Sequence, residues 1–350
     1  MKGKQLLGMD REELAAVAAE MGEKPFRGRQ LYVQIYRRKV GSFAEMTDLA
    51  QSFRSRLEER YTLSLPEVQR RSDSQDGTVK LLLRLEDGQM VETVHIPEEN
   101  RDTLCISSQV GCDVGCTFCL TAQMGFRRNL TPGEIVGQVL RVIREGLVGE
   151  NGFNIVFMGM GEPLYNYRNV MKAFRLLTDP EGMNLSHRKI TISTSGVVPV
   201  LRRMAAEPVV PNLAVSLNSS TSSLRDRIMP INRKWSLAEL LETLRAFPLE
   251  PRRRITIEYV LLRDENDSPA DARRLAELLQ GLAVKINLIP YNPNPGLPHR
   301  RPEPERVGRF QAVLSEHNLA SFVRRTRGAD VSAACGQLAF LEQPPALLQV

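Results

Sequence analysis

No stretch of the sequence approaches 18 uninterrupted apolar residues, which excludes a membrane-spanning helix. The opening Met1-Lys2-Gly3-Lys4-Gln5-Leu6-Leu7 soon meets Asp10, Arg11, Glu12 and Glu13, so neither a secretory apolar segment nor a transit-peptide composition is seen. A cytoplasmic location is the expectation. Charge of one sign is not in large excess: 47 Lys and Arg against 41 Asp and Glu leave +6. Cysteine is scarce, at five residues, and the odd count and uneven spacing exclude a disulfide framework. At 42% hydrophobic and 25% charged, the 350 residues suit an ordinary globular protein. The length allows one large α/β barrel with an appendage, or two medium domains.

Three of the cysteines are concentrated. Cys112, Cys116 and Cys119 form C-x3-C-x2-C, Cys105 sits just upstream, and Cys335 lies near the far end. In a reducing compartment such a cluster points to metal binding or catalysis. A structural zinc site needs a fourth ligand, which only His95 or Cys105 offers. A [4Fe–4S] cluster on three thiolates leaves one iron open for a substrate or cofactor. Basic residues also gather locally, as Arg27-Gly28-Arg29, Arg37-Arg38-Lys39, Arg252-Arg253-Arg254 and Arg324-Arg325-Thr326-Arg327. Each taken singly is a solvated surface; together they suit a polyanion such as RNA.

Periodicity divides the chain into three. Residues 1–61 read as helical and basic, with Leu14, Val17, Ala18 and Met21 at helical spacing, a second helix around Leu31–Tyr36 beyond Pro25, and a third from Ala50 to Arg60. Residues 62–100 change to period two, and Asp76-Gly77 and Asp87-Gly88 mark the turns of a small antiparallel β extension. From 101 to 350 strands and helices alternate. Strands are expected at 104–108, 154–158, 189–193, 212–217, 255–262, 284–289 and 321–325, with helices such as 237–247, 270–279 and 306–317 between them. Thr131 and Glu134 stand at capping-box spacing ahead of a helix whose Ile135, Val136, Val139, Leu140, Ile143 and Leu147 share a face. About six βα units fit, too few to close an eight-stranded barrel. The expected fold is therefore α/β, an open partial (β/α)6 TIM-type barrel with its site at the C-terminal strand ends.

Several loops follow those strands: Gly159-Met160-Gly161-Glu162-Pro163, Ser193-Thr194-Ser195-Gly196, Ser216-Leu217-Asn218 and Pro290-Tyr291-Asn292-Pro293. Read alone they are strand-end turns. Read together they line one mouth with hydroxyls and amides suited to ribose and carboxylate groups. With the cysteine motif, in which Phe118 fills the aromatic position, they resemble the radical S-adenosylmethionine superfamily. Over nearly the whole chain the sequence is similar to the RlmN/Cfr family of RNA adenine methyltransferases. The carriers are Pro25 to Gln30, Cys105, the Gly-Met-Gly-Glu-Pro loop, Ser193 to Pro199, Pro230-Ile231-Asn232, Ile286 to Pro290, Thr326 to Asp330 and Ala334 to Leu338.

The resemblance implies a [4Fe–4S] cluster on Cys112, Cys116 and Cys119, and S-adenosylmethionine contacts at Gly161, Glu162, Ser193, Ser216, Leu217, Asn218 and Asn292. Asn218 departs from the pattern, since many relatives carry His there. Cys335 is implied as the thiolate that takes a methyl group from one S-adenosylmethionine, and a second yields the radical that activates that methyl for addition to adenine. Cys105 is implied to resolve the resulting crosslink through a Cys105–Cys335 disulfide, and Glu92 matches a Glu assigned to proton acceptance or substrate positioning. The implied substrates are 23S rRNA at the peptidyl-transferase centre and the tRNA adenine 3′ of the anticodon, methylated at carbon 2. A cytosolic reductant such as flavodoxin or ferredoxin and a monomeric state complete the expectation. The rival readings are carbon-8 methylation of the same rRNA adenine, a non-catalytic iron–sulfur or zinc RNA-binding protein, and a radical enzyme for a small molecule.

Overall fold

The computed structural model describes residues 3–149, 152–294 and 296–339; the end of the third expected segment, 340–350, lies outside them. Strand β1 (Lys4–Gln5) precedes helix α1 (Arg11–Glu20), which starts at a capping box where Asp10 and Glu13 bond each other's backbone N–H. Helix α2 (Phe26–Tyr32) starts behind Pro25 and widens into a π-type turn over Val33–Arg37. Helix α3 (Gln51–Arg60) leads into β2 (Tyr61–Thr62), which pairs in parallel with β1 and closes the segment. Close packing of α1 on α2 depends on Gly28: a Cβ there would stand 2.4 Å from the Ala15 Cα.

The antiparallel region is β3 (Glu67–Asp73), β4 (Val79–Arg84) and β5 (Met90–Glu98), turned at Gly77 and Gly88 with φ of 82° and 85°. It does not stand apart from the barrel. β5 pairs antiparallel with β6 (Arg101–Cys105), and β6 is the first parallel barrel strand. That strand begins at Arg101 rather than Leu104, because β5 pairs with it from Arg101 and β9 from Asp102. After it, β7 (Gln109–Gly111) and β8 (Phe126–Asn129) form an unexpected hairpin around the cysteines, with the short helix α4 (Leu120–Gln123) inside its loop.

Helix α5 (Pro132–Arg144) has the expected capping box and buries Ile135, Val136, Val139 and Leu140. It ends at Arg144, so Leu147 packs from beyond the helix. Then come β9 (Phe153–Phe157), α6 (Tyr167–Thr178), β10 (Ile190–Thr194), α7 (Val198–Met204), β11 (Asn212–Ser216), α8 (Ser222–Ile228), α9 (Leu237–Arg245), β12 (Ile255–Leu261), α10 (Pro269–Leu279), β13 (Val284–Pro290), α11 (Pro304–Glu316) and β14 (Ser321–Val323). The ten-stranded sheet runs β14-β13-β12-β11-β10-β9-β6-β5-β4-β3, parallel from β14 to β6 and open at both edges. This is the open partial barrel. In β12 the period of two puts Ile255, Ile257 and Tyr259 on one face, while Thr256 and Glu258 point to a polar barrel interior.

Buried Gln138 fixes α5 over the site. It accepts from Thr93 Oγ1 and Ser107 N, both at 2.8 Å, and donates to Ser107 O at 2.9 Å.

The contact at Gly28 predicts the effect of enlarging it. Gly28→Ala forces backbone apart and should cost about 1–3 kcal/mol, read as a lowered melting temperature. An unchanged melt would show that α1 and α2 separate freely.

Candidate active site

The cysteine loop hangs between β7 and β8. Cys112 N donates to Gly125 O at 3.2 Å, and Cys119 N to Cys116 O at 3.3 Å. Cys112, Cys116 and Cys119 line one cavity of about 180 Å3, together with Phe118. Gly161, Glu162, Ser193, Ser216, Asn218 and Asn292 line the same cavity. The strand-end loops and the cysteine motif thus converge as expected. Leu217 does not reach the wall: its side chain is buried, and its carbonyl accepts from Arg225 Nε at 3.1 Å.

Gly161 has φ +98°, and a Cβ there would meet Gln109 Cβ at 2.5 Å, so only glycine fits the bend. Glu162, 3% exposed, accepts four hydrogen bonds: Leu164 N at 3.0 Å, Thr194 Oγ1 at 2.7 Å, and Ser195 N and Oγ at 2.7 Å each. Four donors saturate a carboxylate. The carboxylate therefore lashes the loop after β9 to the loop after β10. Asn218 adopts φ +56°, accepts from Val260 N at 2.8 Å, and so braces β11 against β12.

Cys335 arrives from the C-terminal side. Leu120 N donates to Gly336 O at 2.9 Å, and Asn292 Nδ2 reaches Cys335 O at 3.4 Å, holding this loop against the cysteine motif. Cys335 lines both the cofactor cavity and a second, polar channel of about 590 Å3 through the barrel interior. Cys105 lines that channel, as do Thr103, Asn154, Thr191, Thr256 and Asn287. The five cysteines are all free thiols, so the expected Cys105–Cys335 disulfide is not formed here. Glu92 lies elsewhere. It is 0% exposed, borders neither space, and pairs with Lys80 at 2.9 Å. Lys80 also donates to Ser332 O at 3.1 Å, on the loop that carries Cys335.

Burial dominates the electrostatics. It pushes Cys112 and Cys105 each up to about 12 and raises Cys116 well above the ordinary thiol range. Cys335 is solvent-exposed as a residue; its thiol is still raised, by the protein packed around it and by Glu258, with the Arg324 cation opposing. Glu92 is raised by burial, against the pull of Lys80. Glu258, which borders both spaces beside Cys335, is likewise raised by burial and accepts from Asn287 Nδ2 at 2.9 Å.

Comparison with known proteins settles the lineage. The family description "Radical SAM superfamily" matches residues 106–276, and "Ribosomal RNA large subunit methyltransferase N-terminal domain" matches residues 4–63. A "Dual-specificity RNA methyltransferase RlmN" of Anaeromyxobacter sp. (strain Fw109-5) is 52% identical over 334 residues, covering 94% of this chain and 88% of that protein. The chain belongs to the RlmN family. A second RlmN, from Geobacter sulfurreducens, is 50% identical over 331 residues, 95% of this chain and 91% of its own. The crystal structure of a radical SAM methyltransferase from Sphaerobacter thermophilus superposes with TM-score 0.91 at 44% identity, covering 96% of this chain and 99% of that one.

Membership of the RlmN family brings a [4Fe–4S] cluster and S-adenosylmethionine as cofactors, and the donor set fits them. Three thiols face one cavity, and metal binding deprotonates Cys112 and Cys116, which burial alone keeps neutral. Among the described residues no three His, Cys, Asp or Glu side chains converge on a single ion. A cluster that takes one thiolate per iron does not require that convergence. The zinc alternative loses its fourth ligand, because His95 pairs with Asp102 at 3.1 Å and Cys105 faces the channel.

Arg225, Glu258 and Lys80 escaped the sequence reading. Thr256 and Glu258 on alternate positions of β12 were the one available signal; Arg225 and Lys80 sit in ordinary helix and strand patterns. The Cys335 environment yields a test. Arg324→Met removes the cation that favours the thiolate, so Cys335 should titrate higher and react more slowly with iodoacetamide at neutral pH. The rate–pH curve, measured in a Cys105→Ser background, should move to higher pH; an unmoved curve would show that Arg324 does not govern the thiol.

Proposed function

We propose that this chain methylates carbon 2 of an exposed adenine in 23S rRNA and in tRNA, using Cys335 as an intermediate methyl carrier. The carrying observation is the position of Cys335 where the cofactor cavity meets the polar channel, with Cys105 on the channel wall. Relatives at about half identity are named dual-specificity RNA methyltransferases, which supports both RNA classes as substrates. Bound in their cavity, the cluster and S-adenosylmethionine supply the methyl group and the one-electron chemistry. The chain's own groups divide the remaining work. Cys335, as thiolate, accepts the methyl, and Arg324 favours its ionisation. Cys105 attacks the Cys335 sulfur; an S–S bond forms, the bond from sulfur to the base-linked carbon breaks, and that carbon takes a proton.

The channel supplies a route for the base. Arg101, Arg188, Lys189, Lys285, Arg325 and Arg327 border it, a basic setting for phosphates around a flipped-out adenine. Residues 1–61 serve as the RNA-holding platform, where Phe26 is exposed with the Arg27 guanidinium 4.9 Å from its ring centroid. In that platform Arg29 and Arg38 are already engaged with Glu181 and Asp48, so RNA binding there exchanges partners. Glu92 remains the proton acceptor of this reading. Lys80 links it to the Cys335 loop, so movement of that loop moves the acid too. A flavodoxin- or ferredoxin-type reductant and a monomeric enzyme belong to the same proposal.

The deciding experiment is nucleoside mass spectrometry of rRNA and tRNA treated anaerobically with the reconstituted protein, S-adenosylmethionine and reductant. 2-Methyladenosine is expected. 8-Methyladenosine would place the chain with the carbon-8 enzymes, and neither product at verified cluster content would overturn the substrate reading. Cys335→Ala should abolish methylation yet still cleave S-adenosylmethionine. Cys105→Ala should accumulate a covalent protein–RNA adduct; free methylated RNA at the normal rate would remove the resolving role.

A further inference from the structure

Arg225 is the largest fully buried side chain among the described residues, at 0% exposure. It rises from α8 behind the cofactor cavity. Its Nε donates to Leu217 O at 3.1 Å, and Nη1 to Asn232 Oδ1 at 3.0 Å. Nη2 donates to Ser195 O at 2.6 Å and to Ser216 O at 3.2 Å. These partners are three carbonyls and an amide oxygen, and among the described residues the guanidinium makes no ion pair with a carboxylate. A cation taken out of water with only neutral acceptors is costly, so buried charges are ordinarily paired or stand beside metal centres. The cysteine loop packs on the same helix: Thr117 N, one residue beyond Cys116, donates to Ile228 O at 3.0 Å at the end of α8. Burial lowers the Arg225 pKa to about 10, with Cys116 and Asp226 opposing, so the guanidinium stays charged at neutral pH.

The carbonyls it holds have a common place in the fold. Ser195 follows β10, Ser216 ends β11 and Leu217 follows it; Ser195 and Ser216 line the cofactor cavity. One side chain therefore spans two strand-end loops and sets a fixed positive charge on the helix against which the cysteine loop packs.

We propose that Arg225 is a positioning residue with two tasks: it clamps the loops after β10 and β11 against the S-adenosylmethionine cavity, and its charge balances the thiolate-bound cluster and raises its reduction potential. The inference rests on the cluster reading given above. Reduction adds a negative charge to the cluster, and a fixed cation in a low-dielectric surrounding favours that state.

The test compares full-length wild type, Arg225→Met and Arg225→Lys, each reconstituted anaerobically to equal iron and sulfide content. Cluster potential is read by EPR-monitored redox titration and S-adenosylmethionine affinity by calorimetry. Arg225→Met should lower the midpoint by at least the equivalent of a tenfold loss in the one-electron reduction constant, about 59 mV. Arg225→Lys keeps the charge but not the fork, so it should hold the wild-type potential and bind S-adenosylmethionine at least about threefold more weakly. If the Met variant does not fold, Arg225→Gln, which retains donors without charge, takes its place. Equal potentials in wild type and the neutral variant would overturn the electrostatic task, and wild-type affinity in Arg225→Lys would overturn the clamp. Absence of a [4Fe–4S] signal in the wild type would instead overturn the cluster reading itself.

Discussion

Burying negative charge at one mouth of the barrel is the constraint on which the rest of the structure depends. Cys112, Cys116, Cys105, Glu162, Glu258 and Glu92 are all pushed toward their neutral forms by loss of water. Chemistry on thiolates needs the opposite. The fold answers with a few placed cations: Lys80 against Glu92, Arg324 acting on Cys335 and Glu258, and Arg225 on the helix against which the Cys116 loop packs. Where no cation is available, hydrogen bonds take over, as in the four donors that fill Glu162.

The same constraint explains why distant segments meet. If Cys335 carries a methyl group, as proposed, it is useful only beside the cofactor cavity. The loop with Cys335 is accordingly stitched to α4 through Gly336, to the β13 end through Asn292, and to β4 through Lys80. The stitches fall mostly on backbone carbonyls, so they hold the loop while leaving the thiol unengaged. Continuity of β3–β5 with β6 matters here, because it brings Lys80 and Glu92 alongside the barrel strand that ends in Cys105.

Basic residues follow two regimes. In the N-terminal segment several are engaged with acids: Arg29 with Glu181, Arg38 with Asp48 and Arg56 with Glu23. Around the barrel channel the basic groups come from Arg101, Arg188, Lys189, Lys285 and the 324–327 segment, far apart in sequence. A charge count near balance, +6, conceals that concentration.

The sequence by itself determined the parts whose cause is local. The C-x3-C-x2-C spacing, the Thr131–Glu134 capping box, the Asp-Gly turns and the βα alternation each act over a few residues, and each appears where the pattern put it. The convergence of Gly161, Ser193, Ser216 and Asn292 was legible as well, since all follow parallel strands and must share one mouth. Only the tertiary structure decided what depends on long-range burial: that Glu162 is saturated by its neighbours, that Glu92 sits behind the Cys335 loop, that Leu217 turns away from the cavity, and that Arg225 lies in the core. An arginine in Ser222-Ser223-Leu224-Arg225-Asp226-Arg227 reads as a solvated helix face. What places it inside is the set of carbonyl ends from two strands and the Asn232 amide oxygen, groups that come together only when the sheet has formed around them.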